Sequence, residues 1–167
     1  LLTAATLGPG LVWHENTAGD ASAWTWRTIS GTYPSPFHAD AGDIDGDGDS
    51  DVFAGSTAIT GGSVAWFENT AGNGSAWTPH AIASTLGGVT DVRLADIDGD
   101  GDLDAFYNDV NYALIAWKEN TAGDGSAWSD HVIESGLSTT VPNCVEAVDL
   151  DRDGDVDVLV ASQGSNN

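Results

Sequence analysis

Polar and apolar residues alternate along this chain in short stretches, and the stretches recur. Asp91-Val92-Arg93-Leu94-Ala95-Asp96 has the period of two expected of a half-buried strand. Leu103-Asp104-Ala105-Phe106-Tyr107 follows an aspartate-rich segment, and Ala113-Leu114-Ile115-Ala116-Trp117 is a third apolar run. His131-Val132-Ile133-Glu134 is a fourth, short and polar-flanked as an outer edge strand should be. Clusters of Gly, Asn, Asp and Ser separate them. No stretch sustains a helical period with caps. The pattern predicts four short strands joined by turns.

The same pattern returns at a fixed interval. DIDGDGDSDV starts at Asp43, DIDGDGDLDA at Asp96 and DLDRDGDVDV at Asp149, both intervals being 53 residues. WHENTAGDASAW from Trp13, WFENTAGNGSAW from Trp66 and WKENTAGDGSAW from Trp117 follow at 53 and 51. Four strands in about 50 residues, repeated, predict a β-propeller of four-stranded antiparallel blades. A β-solenoid is the alternative, but its rungs are usually shorter. The expectation is an all-β chain, one repeat domain over 1–167. Its units run 1–53, 54–106 and 107–159, with 160–167 overlapping. Labelling strands A to D from the axis outward, each unit reads C-D-A-B.

Composition narrows the partners. The chain has 167 residues with 26 acidic against 4 basic side chains, a net charge of −22. Nucleic acid is excluded as a partner, because its phosphates would be repelled, and anionic membrane surfaces are disfavoured for the same reason. No apolar run approaches the roughly 20 residues of a membrane helix. An apolar content of 41% and seven tryptophans argue against disorder. The one cysteine, Cys144, forms no intrachain disulfide and reads as a small buried residue. The chain begins at Leu1 and holds no Met, so it reads as a processed form or a segment of something longer.

The sharpest chemistry is in the aspartate loops, which hold fifteen of the 26 acidic residues. Alternate carboxylates so close together need a counter-charge, and a hard cation with oxygen ligands supplies it. In the first loop Asp43, Asp45 and Asp47 each offer a side-chain oxygen. Gly48 takes the sharp turn, Asp49 gives its backbone carbonyl with its side chain outward, and Asp51 closes the site. The same roles fall on Asp96, Asp98, Asp100, Asp102 and Asp104, then on Asp149, Asp151, Asp153, Asp155 and Asp157. An EF-hand is rejected: position 12 holds Ala54, Tyr107 and Val160 instead of Glu, and no helices flank the loops. The expected cofactor is Ca²⁺, about three per chain. Mg²⁺ dehydrates too reluctantly for an all-protein cage.

The run D-x-D-G-D-G-D-x-D, an apolar strand and then W-x-E-N resembles the FG-GAP/VCBS repeats, similar to the propeller blades of integrin α subunits and of some lectins. The resemblance covers all three repeats. It implies a calcium-stabilised β-propeller, extracellular or on the cell surface, and without enzymatic activity. Arg152 stands where the other loops have Gly46 and Gly99, a position that is not a ligand. Complete propellers of the family generally have six or seven blades, and this chain has three.

Trp13, Trp66 and Trp117 recur at the ends of apolar strands. They read as packing between blades, or as platforms on which a sugar could stack. Trp24, Trp77 and Trp128 are read the same way. Glu15, Glu68 and Glu119, with Asn16, Asn69 and Asn120, read as turn-fixing groups. His80 and His131 recur, with Arg27 in the third repeat position, and read as structural or surface residues. Asn73-Gly74-Ser75 matches a glycosylation sequon, and the equivalent positions hold Asp20 and Asp124.

The aspartate loop joins strands A and B, and the NTAGDGSA-type turn joins C and D, which places both on one face. The opposite face carries loops that differ between repeats: Ser56–Gly62 and Asn108–Tyr112, and Gly31–Phe37, Ser84–Thr90 and Gly136–Asn143. Variable loops on a rigid scaffold are the expected recognition surface, with Tyr33, Phe37 and Tyr112 available there. The function expected is a non-enzymatic module for adhesion, assembly or surface scaffolding. The alternative is a lectin with sugar sites between blades. The partners expected are glycans or another surface protein, and a second copy of the chain. Strands C and D at the N-terminus, Leu11–His14 and Trp26–Ser30, would complement A and B at the C-terminus, Val145–Asp149 and Asp157–Ala161. The assembly would be a filament or a ring, two chains giving six blades.

Overall fold

The computed structural model describes residues 2–4, 10–58, 61–136 and 140–164. Among these the chain is all-β, with thirteen strands and no helix. The elements are β1 (Leu2–Ala4), β2 (Leu11–Asn16), β3 (Trp24–Ser30), β4 (Pro36–Gly42), β5 (Asp51–Ser56), β6 (Gly62–Glu68) and β7 (Thr78–Leu86). They continue with β8 (Val92–Ala95), β9 (Asp104–Asp109), β10 (Leu114–Glu119), β11 (Ser129–Ser135), β12 (Thr140–Val148) and β13 (Asp157–Gly164).

Each sheet is an antiparallel meander in chain order. Two have four strands, β4-β5-β6-β7 and β8-β9-β10-β11, and β12-β13 is a pair. The first sheet is β1-β2-β3. It therefore has one strand more than the expected C and D: Leu2, Thr3 and Ala4 pair with Trp13, Val12 and Leu11, in the B position. The four apolar runs of the second repeat all lie on strands, and the outermost, β11, is largely exposed.

Sheets stack face to face, and the period of two decides which neighbour each side chain meets. From β5, Phe53 points into a core with Val89, Val92 and Tyr107 of the next repeat. Val52 and Ala54 point the other way, into a core with Leu11 and Ile29 of the preceding one. Phe106 and Ile115 meet Val145 of β12 in the third core. A strand buried on both faces reads as continuously apolar, and β5 and β9 are buried at every position. The equivalent β13 is mostly exposed.

A polar stitch joins the inner strands β4, β8 and β12. Asp91, only 3% exposed, accepts from His38 at 2.9 Å, from Arg93 at 2.7 Å and from the Val145 N–H at 2.8 Å. Arg93 also reaches Glu146 at 3.2 Å. Burial pushes the Asp91 carboxyl up, but the hydrogen bonds from His38 and the Val145 N–H outweigh it and hold it at about 2. Cys144 is exposed, not buried, and its hydrogen bond to Asp91 pushes the thiol up.

Candidate metal centre

Each aspartate loop lies between an inner strand and its neighbour. Its shape comes from carboxylates capping the loop's own backbone. Asp43 accepts from Gly48 N–H at 3.0 Å, Asp45 from Asp47 N–H at 3.2 Å and Asp47 from Asp49 N–H at 3.0 Å. Asp96 accepts from Gly99 and Gly101, and Asp149 from Arg152 and Gly154, so the geometry repeats. Arg152 holds the left-handed conformation of Gly46 and Gly99, with φ 67° against 75° and 79°. The third loop thus keeps its shape at a backbone cost of roughly 1–2 kcal/mol.

The loops gather the first, third and ninth positions. Asp43, Asp45 and Asp51 bring carboxylate oxygens within 4.8 Å of one another, as do Asp96, Asp98 and Asp104, and Asp149, Asp151 and Asp157. Asp47, Asp100 and Asp153 are outside these triads and cap the N–H groups of Asp49, Asp102 and Asp155. The Asp49 side chain does not point outward as expected. It packs over Gly72 of the next turn, and its Oδ1 is buried without a hydrogen-bond partner. Asp102 lies over Gly123 in the same way.

The closing aspartate also ties two strands together. Asp51 accepts from the Ile44 N–H at 3.0 Å and from the Asn69 N–H, after β6, at 2.8 Å. Asp104 does the same with Ile97 and Asn120, at 3.0 and 2.9 Å. Both residues are about 1% exposed, and burial pushes their carboxyls up to about 6. Asp157 accepts from Leu150 at 3.0 Å but is exposed.

A hard cation suits this donor set. Three carboxylates converge in each loop, burial disfavours the charge of Asp51 and Asp104, and Asp43 Oδ1 is buried without a partner, the state a cation would relieve.

The tryptophans take a different role. Trp66 is 3% exposed and lies on Gly125 of the next repeat, where an added Cβ would come within 2.6 Å of the indole. Trp13 lies on Gly74 in the same way, at 2.7 Å. Trp66 and Trp117 stack on His80 and His131, with ring centroids 4.4 and 4.3 Å apart. Those histidines pair with Glu68 and Glu119, and Arg27 pairs with Glu15. The glutamates therefore join neighbouring strands and do not fix turns. Asn16, Asn69 and Asn120 do fix turns, each accepting backbone N–H groups of the turn that follows. The outer Trp24, Trp77 and Trp128 donate to carbonyls of the same turns.

Of the aromatics expected on the variable face, Phe37 and Tyr112 are exposed. Tyr33 is not available: its hydroxyl bonds the Ala54 and Ser63 carbonyls, and burial pushes it up to about 12. Residues 59–60 and 137–139 of the variable loops lie outside the described residues. A cleft of about 540 Å³ opens on the opposite face, beside the first aspartate loop, between Trp13, Asp49, Asn69, Asn73 and Trp77. The polar stitch of His38, Asp91 and Arg93 carried no sequence signal, because the positions differ between repeats.

Successive four-stranded meanders, each with a carboxylate loop between its first two strands, define a repeat protein of the blade-forming class. Residues 50–107, which run from the second sheet into the third, are similar to the FG-GAP-like repeat family. No curated protein and no solved structure matches the chain.

Proposed function

We propose that this chain is a calcium-stabilised β-propeller module, extracellular and non-enzymatic, that serves adhesion, assembly or surface scaffolding. The observation that carries the reading is the recurrence of one carboxylate triad at the same position in three repeats. Asp43, Asp45 and Asp51 would hold the first Ca²⁺, with the equivalent aspartates holding the second and third. The ions would neutralise loops that otherwise repel themselves, so the metal's part is structural. Affinities are expected at about 10⁻⁴–10⁻³ M, as in extracellular modules. At ten times such a constant each site adds about 1.4 kcal/mol. Calorimetric titration should count three sites, and a chelator should lower the melting temperature. An unchanged melt in chelator refutes the metal reading.

One observation favours a lectin as the second reading. The cleft beside the first loop has an indole N–H, Trp13 Nε1, and a carboxylate oxygen, Asp49 Oδ1, both buried and unpartnered. A sugar offers hydroxyls to such groups and an apolar face to an indole. A glycan array in calcium tests it, and an array without a hit leaves the scaffold reading.

A further inference from the structure

The junction between the second and third sheets holds a group that neither the aspartate loops nor the turns use. A cleft of about 340 Å³ opens there between Ala83 and Leu86 of β7 and Tyr107, Leu114, Ala116 and Lys118 of the third sheet. Leu114, Ala116 and Lys118 alternate along β10, so the period of two puts all three on the face turned to β7. Val132 and Asp130 of β11 stand opposite Ala116 and Lys118 and extend the same wall.

One repeat earlier the same place is filled by rings. Phe67 is 1% exposed and lies edge to face with Tyr33, the centroids 5.3 Å apart. The repeat intervals put Lys118 at the position of Phe67 and Leu86 at that of Tyr33. An aromatic contact is thus exchanged for an amine beside an open, largely apolar wall. Lys118 is the one lysine among the 167 residues, and its side chain is only 10% exposed. Lysines usually carry their charge out to water along an apolar stem. This one pairs with Asp130, whose side chain is 75% exposed. So wet a partner is screened and offsets little of the lost solvation. Burial accordingly pushes the Lys118 amine down, towards the neutral form that acts as a nucleophile.

The charge of the chain selects what this amine meets. A carboxylate or phosphate ligand would have to approach a net charge of −22 and displace Asp130. A neutral carbonyl compound with an apolar body faces neither obstacle. We propose that the cleft is a covalent site for neutral apolar aldehydes, captured as an imine on Lys118. The Nζ lone pair attacks the carbonyl carbon to give a carbinolamine. Both amine hydrogens then leave with the carbonyl oxygen as water, and a C=N bond replaces the C=O. The imine takes a proton from solvent, with Asp130 as counter-ion, and no oxidant or reductant is consumed. The apolar body lies against Tyr107, Leu114 and Val132. The site is independent of the calcium and lectin readings.

Benzaldehyde with cyanoborohydride tests the proposal on the 167-residue chain in calcium, since the reductant fixes the imine as a benzylamine. Peptide mass spectrometry reads Lys118 and the Leu1 α-amine separately, with Nα-acetyl-lysine amide as the free reference. Lys118 should be labelled about tenfold faster than the reference, because burying about 60 Å² of the ring's apolar surface raises occupancy by that factor. Labelling no faster than the reference overturns the proposal. Glyoxylate, an aldehyde that carries a carboxylate, should show no such advantage, and an equal gain overturns the choice of a neutral ligand. Benzyl alcohol fits the same cleft and forms no imine, so it should slow labelling of Lys118 and spare the Leu1 amine. Equal effects on both amines mean that Lys118 reacts without a binding site, and the proposal fails. Ser84→Trp places an indole in the cleft and leaves the amine in place. With parental circular dichroism it should bring labelling down to the reference rate, and unchanged labelling overturns the cleft as the site. The benzyl alcohol experiment uses the parent chain, so it decides the matter even where this variant does not fold.

Discussion

Asp104→Ala separates the two jobs assigned to the closing aspartate. The carboxylate is about 1% exposed and accepts the N–H groups of Ile97 and Asn120 at 3.0 and 2.9 Å. Alanine leaves both donors buried without that acceptor, at about 1–3 kcal/mol each. The unmet donors therefore cost at least about 2 kcal/mol, against which stands, when no metal is bound, the relief of a carboxyl that burial pushes up to about 6. For a chain of this length the donor cost by itself lowers the melting temperature by at least roughly 4 °C. Asp100→Ala is the control. Asp100 is exposed, outside the carboxylate triad, and caps only the Asp102 N–H at 3.0 Å. Its loss should cost about 1 kcal/mol or less in chelator. Thermal melts followed by circular dichroism, with calcium and with chelator, read both variants. If Asp104→Ala melts with its parent in chelator, the carboxylate does not on balance hold strands together. A deficit confined to the calcium arm reduces it to a ligand alone.

Other substitutions test the packing between sheets. Gly125→Ala should destabilise by about 2–4 kcal/mol, since it adds a Cβ 2.6 Å from the Trp66 indole at a φ of 69°; Gly136→Ala, with φ 72° but nothing within 4 Å, should cost only the backbone part in the same denaturant titration. Asp91 is held at about 2 against the ordinary 3.8, so its contribution of about 2 kcal/mol is complete above the unfolded value and is lost as pH falls through about 2. Urea titrations at falling pH should show Asp91→Asn converging on the parent, and a constant gap between them refutes the assignment. Tyr33→Phe should cost about 1 kcal/mol by removing the hydroxyl from the Ala54 and Ser63 carbonyls, and a variant as stable as the parent shows that these bonds contribute nothing net.

The strands, their order within a sheet and the loop carboxylates were legible in the sequence for a common physical reason. They are set by neighbours in the chain: a period of two for Val92–Ala95, a turn that requires Gly48, and alternate aspartates that require a counter-charge. Repetition strengthened each signal, because Asp43, Asp96 and Asp149 report the same loop three times. Tertiary structure decided what lies across the gaps between repeats. It turned the Asp49 side chain in over Gly72, set the Trp66 indole on Gly125, tied Tyr33 to Ala54 and Ser63, and exposed Cys144. It also brought His38, Asp91, Arg93 and Glu146 together, and left the fifth-position Asp47 and Asp100 outside the loop triads. Those outcomes depend on the distance between sheets and on which face of each strand meets the next. A local sequence pattern carries neither.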